Sequence, residues 1–150
     1  MPSVKEPTGL IPSSELRSDG ASTLSWARGR CLAWDVTAPE TLAQCHLHVS
    51  AGCAGSAATN AEATKVAKYA AFSNTHVFVL LAFETLGAWG EQAKVFVAQL
   101  GRRITGVMAD VRETDFLRQR LSVAIQRGNA LAIRGSLGLH KNSALDDLND

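Results

Sequence analysis

One apolar run places the strongest limit on how this chain can fold. Residues 77–83, with the sequence VFVLLAF, contain no polar side chain and are bounded by His76 and Glu84. The run is far shorter than the roughly 18 residues of a membrane helix, and its valines and phenylalanines favour an extended strand. A strand that is apolar on both sides usually lies between layers of helices. The run therefore predicts a sheet with helices on both faces, and it predicts no membrane segment.

Two shorter segments upstream predict a β-hairpin. Residues 21–26 and 31–37 are the predicted strands, and residues 27–30, ARGR, form the turn between them. Pro39 has no amide hydrogen to donate to a strand ladder, so the second strand is expected to end before it. Residues 38–55 contain many small side chains and two glycines, and we expect them to be irregular.

Helices are predicted on either side of the apolar run. Alanines fill residues 57–71 and favour a helix there. A second helix is predicted from about Trp89 to a stop at Gly106, and a third from about residue 110 or 114 to Ile133. The order strand, strand, helix, strand, helix, helix predicts the α/β (α+β) fold class. The buried side of the third helix is expected to contain Leu117, Leu121, Ala124, Ile125, Gly128 and Leu131.

The chain has the size of one domain and nearly balanced charge. Its 150 residues are 46% hydrophobic and include 15 basic and 14 acidic side chains, which excludes a globally basic, histone-like protein and an acidic tail protein. We expect a flexible segment over residues 1–15, one domain over residues 16–135 and a flexible tail over residues 136–150. Three cysteines cannot all pair, and the first residues show no secretion-signal pattern, so we expect an intracellular protein.

Positive charge is concentrated towards the end of the chain. Residues 101–139 contain seven arginines and three acidic residues. A surface of this kind can bind a phosphate backbone, although a solvated helix face has the same composition. The candidate nucleic-acid contacts are Arg118, Arg120 and Arg127 on the last predicted helix, together with Arg17 ahead of the hairpin.

Two aspartates are predicted to meet at one end of the hairpin. Asp19 precedes the first strand, and Asp35 lies near the end of the second. Paired carboxylates suit Mg²⁺ or Mn²⁺, and a metal held there can polarise a phosphate and activate water. The alternative is structural, because Asp19 followed by Gly20 is an ordinary turn dipeptide and Asp35 can cap a loop.

Two lysines on the alanine-rich helix are candidates for holding that phosphate. Lys65 and Lys68 are three residues apart and therefore share a helix face, with Tyr69 beside them. A pair of ammonium groups near two carboxylates could bind a scissile phosphate and the attacking water. Taken alone, the same spacing is also typical of a solvated helix face.

In combination these residues resemble the restriction-like endonuclease of non-LTR retrotransposons, a member of the PD-(D/E)xK nuclease superfamily. The resemblance spans roughly residues 16–134 and depends on the order and spacing of short motifs. Ser18 stands where the family has proline, and Thr37 stands where the wider superfamily often has its lysine. The motifs are Arg17-Ser18-Asp19-Gly20, Trp34-Asp35-Val36-Thr37 and Lys65-x-x-Lys68-Tyr69.

The resemblance implies both a fold and an activity. The fold is a restriction-endonuclease-like core, in which a small mixed central sheet is flanked by helices, and it is truncated at its N-terminus. The activity is metal-dependent nicking of target DNA, with Asp19 and Asp35 binding Mg²⁺ or Mn²⁺ and with Lys65 or Lys68 serving the phosphate. The implied partners are DNA and the reverse-transcriptase portion of a larger polyprotein, and the implied location is the nucleus.

Other interpretations stay open from the sequence. The chain could be a catalytically inactive retroelement remnant that binds only nucleic acid or a partner, or its arginine-rich helix could be a partner-binding surface. A zinc module is a further alternative, with Cys45, His46, His48 and Cys53 as ligands. Glu84 is a possible third metal ligand, but its expected place is near the N-terminus of the following helix, where negative charge is favourable.

Overall fold

The chain folds into a mixed α/β domain. The computed structural model describes residues 2–8, 10, 17–70 and 74–137. Residues 138–150 of the predicted tail (136–150) lie outside the described residues, as does most of the segment from residue 9 to residue 16, whereas Ser136 is the last residue of a helix. The described elements are β1 (Ser3–Lys5), β2 (Gly20–Ala27), β3 (Arg30–Thr37), α1 (Gln44–Gly52), α2 (Ser56–Lys68), β4 (Val77–Ala82), α3 (Glu91–Met108) and α4 (Glu113–Ser136).

The four described strands form one mixed sheet in the order β1-β2-β3-β4. β2 and β3 are an antiparallel hairpin, closed by Arg28 and Gly29, which both have positive φ (51° and 76°) as a type I′ hairpin turn requires. β3 and β4 are parallel, with Asp35 opposite Leu80, so α1 and α2 supply the crossover between them. The mixed sheet flanked by helices confirms the predicted fold class.

Side chains along β3 and β4 point alternately to the two faces of the sheet, and this divides the core into two layers. On one face, Ala33 and Leu80 pack with Tyr69, which directly follows α2. On the other face, Leu32 packs with Phe96 and Val97 of α3. Because successive side chains on a strand point to opposite faces, α2 and α3 cover the two sides of the sheet, as the apolar run predicts.

Two buried glutamates fix the helices to the sheet. Glu84, which follows β4, is 1% exposed, and its Oε1 accepts the N–H groups of Ala57 (3.0 Å) and Ala58 (3.3 Å) at the start of α2. Glu62 of α2 is 2% exposed and accepts the N–H groups of Gln92 and Ala93 at the start of α3. Both carboxylates thus satisfy amides at a helix N-terminus, where negative charge is favoured. The expectation that Glu84 lies at the N-terminus of the following helix is wrong, since it caps the preceding one.

Several elements differ from the sequence-based expectations. The sequence does not predict β1, which lies in the proline-rich start, or α1, which lies in the segment expected to be irregular. α3 does not end at Gly106 as predicted. It continues to Met108 and is capped by Ala109, whose backbone has the left-handed conformation. None of the described α4 side chains is buried, and Leu131 is 69% exposed, because α4 packs chiefly against α3 and its last turns extend beyond that contact.

We predict that Glu84→Gln lowers the free energy of unfolding by about 2 kcal/mol, the upper end of the range for a charge that interacts with a helix terminus. The amide oxygen can still accept an N–H, but the charge that interacts with the α2 dipole is gone. Urea unfolding measures the change. Glu91→Gln is the matched control because Glu91 lies in the first turn of α3 but is exposed. Equal losses in the two variants would contradict a special role for Glu84.

Two glycines of α3 are predicted to respond to alanine with opposite signs. A Cβ at Gly101 would lie 2.9 Å from Thr114 Cβ of α4, whereas a Cβ at Gly106 would have no neighbour within 4 Å. Gly106→Ala should therefore stabilise the protein by up to about 1 kcal/mol through helix propensity. Gly101→Ala should destabilise it by about 1–3 kcal/mol, as overpacking does. Thermal unfolding of the two variants tests this, and stabilisation by both would contradict the close α3–α4 contact.

Candidate functional site

A buried carboxylate lies where β3 meets α2. Asp35 is 5% exposed and lies on the face of β3 that α2 covers. Its Oδ2 accepts a hydrogen bond from Lys65 Nζ at 2.8 Å, and its Oδ1 accepts one from the Tyr69 hydroxyl at 3.0 Å. Lys65 and Tyr69 are four residues apart and therefore share the face of the chain that reaches this point. The two partners together satisfy a charge that would be costly to bury alone.

Asp19 lies directly ahead of β2, the strand that neighbours β3. β2 and β3 pair with Gly20 opposite Trp34, so Asp19 and Asp35 are each one residue beyond this pair. The Asp19 side chain is exposed, and its Oδ2 accepts the Val36 N–H at 2.6 Å. The hairpin therefore brings the two aspartates to the same end of the sheet, one buried and one open to solvent.

The two candidate lysines occupy different environments. Lys65 pairs with Asp35, and its side chain is 31% exposed. Lys68 is exposed at the end of α2, with its Nζ 5.4 Å from the centre of the Tyr69 ring. Of the two, Lys65 is the one that directly contacts a candidate metal-binding carboxylate.

Tyr69 joins the site to the core, a role that the sequence analysis does not assign to it. Its ring stacks on Phe78 of β4, with centroids 4.7 Å apart. Burial raises the pKa of Tyr69 to about 12, and the hydrogen bond to Asp35 and the negative charges of Asp35 and Asp19 act in the same direction. The phenol therefore stays protonated and donates to Asp35 throughout the neutral range. In the sequence, the spacing of four residues between Lys65 and Tyr69 was the signal that could have indicated a shared contact.

The candidate arginines do not lie on one surface. Arg17 is exposed beside the aspartates, and its carbonyl oxygen lies 3.5 Å from the Tyr69 hydroxyl. Arg118, Arg120 and Arg127 are exposed on α4, which packs against α3 on the other side of the sheet. Arg118 also lies 3.8 Å from Asp115. The structure thus places Arg17 with the aspartates and the three other arginines on a separate surface.

Part of the positive charge near the end of the chain has a structural role. The Arg103 guanidinium stacks 3.6 Å above the Trp26 ring and donates to the Trp26 carbonyl at 2.8 Å. Arg112 donates two side-chain hydrogen bonds to Asp110. Arg103 and Arg112 are therefore engaged in contacts within the domain. The number of arginines in this part of the sequence overstates the positive charge that is available to a ligand.

The cysteine and histidine residues of the proposed zinc module do not converge. Cys45, His46 and His48 lie on α1, and Cys53 follows its end. Both cysteines are exposed, and His46 Nδ1 lies 2.9 Å from the Glu40 carbonyl oxygen. Within the described part of the chain, no group of three or more His, Cys, Asp or Glu side chains is arranged to hold a metal. Glu84, weighed as a third ligand, instead binds α2 amides.

Comparisons of this chain with protein-family models, with curated proteins and with solved structures find no match. Among the residues that the structure describes, no helix combines the length and hydropathy needed to cross a membrane. The site is therefore interpreted from its own geometry.

The raised pKa of Tyr69 predicts a loss of stability at high pH. The unfolded chain releases the phenol proton near pH 10, whereas the folded chain holds it until about pH 12. Between these values the folded state binds more protons, so stability falls as pH rises through this window. Since Tyr69 is the only tyrosine in the sequence, tyrosinate absorbance reports its titration directly. Tyr69→Phe should remove this part of the high-pH destabilisation, and a tyrosinate midpoint near 10 in the folded protein would contradict the buried hydrogen bond.

Proposed function

We propose that the chain is a metal-dependent DNA endonuclease domain of retrotransposon origin. The observation that carries the proposal is that Asp19, directly ahead of β2, accepts the Val36 N–H next to Asp35 on β3, while Lys65 Nζ lies 2.8 Å from Asp35 Oδ2. Two carboxylates and an ammonium group at one end of a sheet form the set of groups that phosphodiester hydrolysis by the resembled family requires.

The donor chemistry at this site fits Mg²⁺ or Mn²⁺. Carboxylate oxygens are hard ligands, and Mg²⁺ is commonly bound by one or two carboxylates while it keeps several waters. The exposed side chain of Asp19 gives an ion access from solvent. Asp19 and Asp35 would hold the ion, which when bound polarises the phosphate and lowers the pKa of a water ligand.

The basic residues around the aspartates would position the substrate. Lys65 presents a partly exposed ammonium group beside Asp35, and Lys68 and Arg17 are exposed on the same side of the sheet. Ammonium and guanidinium groups at a phosphate stabilise the charge that develops during hydrolysis. On this proposal Lys65 serves the scissile phosphate, while Lys68 and Arg17 bind neighbouring backbone phosphates.

The remaining expectations belong to the same proposal. A mixed sheet with helices on both faces is compatible with a restriction-endonuclease-like core. DNA is the proposed partner, with Arg118, Arg120 and Arg127 as further contacts, and the reverse-transcriptase portion of a larger polyprotein is the second. A nuclear location follows from such a role.

A second candidate function is favoured by one contact pattern. Both oxygens of Asp35 already accept hydrogen bonds, from Lys65 and from Tyr69. An ion pair in which both carboxylate oxygens already have donors can also serve as a purely structural link between β3 and α2. The second candidate is therefore a catalytically inactive remnant that binds nucleic acid or a partner without cleaving it.

Nicking of supercoiled plasmid separates the two functions. We expect the full chain to nick in Mg²⁺ or Mn²⁺ and not in EDTA. Lys65→Ala should reduce the rate by at least about 100-fold, the effect of removing one group that stabilises the transition state. Asp35→Asn should have a similar effect because it removes a metal-binding charge.

Lys94→Ala is the matched control, since Lys94 is an exposed lysine on α3 and its loss should leave nicking unchanged. Circular dichroism of each variant shows whether it is folded. Wild-type protein that is folded but does not nick, while still shifting DNA on a gel, would overturn the nuclease in favour of the binding remnant. Nicking that persists in Asp35→Asn would identify a contaminating enzyme.

A further inference from the structure

The Lys65–Asp35 ion pair differs in burial from the other ion pairs of the described residues. Its side chains are 31% and 8% exposed, and Lys65 Nζ lies 2.8 Å from Asp35 Oδ2. In each of the other four pairs at least one side chain is more than half exposed. An exposed pair contributes little to stability, whereas a mostly buried carboxylate depends on its cation. Asp35 therefore needs a positive charge beside it, and in this structure Lys65 supplies that charge.

The two oxygens of Asp35 have different surroundings. Oδ1 accepts a hydrogen bond from the hydroxyl of Tyr69, which is buried in the core between α2 and β4. Oδ2 accepts one from Lys65, whose side chain is partly exposed. The solvent side of this carboxylate is therefore the Oδ2 side. An ion that reaches Asp35 from solvent comes to the oxygen that Lys65 already contacts.

Asp19 adds a second carboxylate to the site but no second cation. Its exposed side chain accepts the Val36 N–H, and among the described residues it has no ion-pair partner. The raised pKa of Tyr69 results first from burial, but the charge of Asp19 also contributes to it, so Asp19 acts electrostatically on this site. Lys65 supplies one positive charge to two carboxylates, whereas a divalent ion supplies two.

We propose that Lys65 is the counterion of Asp35 in the metal-free protein and that a divalent ion such as Mg²⁺ competes with Lys65 for Asp35 Oδ2. This inference rests on the proposed function, because it takes Asp19 and Asp35 as the metal ligands. Two cations at one mostly buried oxygen repel each other. Ion binding and the Lys65–Asp35 contact are therefore negatively coupled, and each weakens the other by the same factor.

The coupling determines when Lys65 can serve a phosphate. While Lys65 donates to Asp35, the carboxylate neutralises the charge of its ammonium group. When the contact opens, the ammonium group is free to bind a phosphate oxygen. One lysine thus stabilises the metal-free domain and becomes available to the substrate only with the ion in place.

Calorimetric titration of the full chain with Mg²⁺ tests the competition. Lys65→Met keeps an unbranched side chain of similar length but removes the charge. We expect this variant to bind Mg²⁺ at least about fivefold more tightly than the wild-type protein, the lower end of the coupling between linked sites. Thermal unfolding should agree, with a lower Tm for the metal-free variant and a larger increase in Tm on addition of Mg²⁺.

Lys68→Met is the matched control for charge. It removes the same charge three residues further along α2, but Lys68 Nζ lies over the Tyr69 ring, 5.4 Å from its centre. Because Lys68 is exposed and exposed charges are screened by salt, this variant should change the affinity for Mg²⁺ by less than about twofold. Equal tightening in the two variants would overturn the inference, since the effect would then be one of overall charge.

A second measurement uses the wild-type protein and so does not depend on the folding of Lys65→Met. Acetylation of lysine side chains by an activated ester is followed by mass spectrometry with and without Mg²⁺. The rate at Lys65 should rise at least about fivefold with the ion bound, by the same coupling, because Lys65 leaves Asp35 and becomes accessible to the reagent. Lys94, an exposed lysine of α3, is the internal reference and should not change.

The outcomes separate this inference from the proposed function. Mg²⁺ that binds the wild-type protein without changing the acetylation of Lys65 overturns the inference and leaves the metal site standing. An affinity that is equal or weaker in folded Lys65→Met does the same. Absence of Mg²⁺ binding in both proteins overturns the metal site and the inference together. None of these measurements depends on nuclease activity.

Discussion

The contact between the Glu84 carboxylate and the first amides of α2 fixes the geometry of the rest of the domain. Glu84 is held at the end of β4, so the start of α2 is tied to the edge of the sheet. α2 in turn presents Glu62 to the first amides of α3. Two buried charges, each stabilised by N–H donors and a helix dipole, thereby set the positions of both helices that cover the sheet.

The position of α2 determines what Asp35 contacts. With α2 anchored by Glu84, Lys65 and Tyr69 reach the buried face of β3 and donate to both oxygens of Asp35. The antiparallel register adds Asp19 at the same end of the sheet. One buried and one exposed carboxylate, with cations beside them, form the site for which we propose metal-dependent phosphate chemistry, and the same contacts stabilise the fold. That dual use is the reason why activity must be measured with variants that keep the domain folded.

The two basic surfaces of the molecule have different relations to this site. Arg17 and Lys68 lie on the side of the aspartates, whereas Arg120 and Arg127 lie on α4, beyond α3. DNA that contacts both surfaces would have to pass around an end or edge of the sheet.

Periodicity and turn chemistry in the sequence determined the hairpin, the central apolar strand and the two long helices, because these signals act locally. The same local signals misplaced the end of α3 at Gly106 and assigned a buried side to all of α4, since they do not report which neighbour a helix meets. β1 and α1 were not predicted, as their residues have weak intrinsic preference. Only the tertiary structure decided that Glu84 caps the preceding helix and that Tyr69 joins Lys65 on Asp35, because both depend on contacts between residues about 30 positions apart.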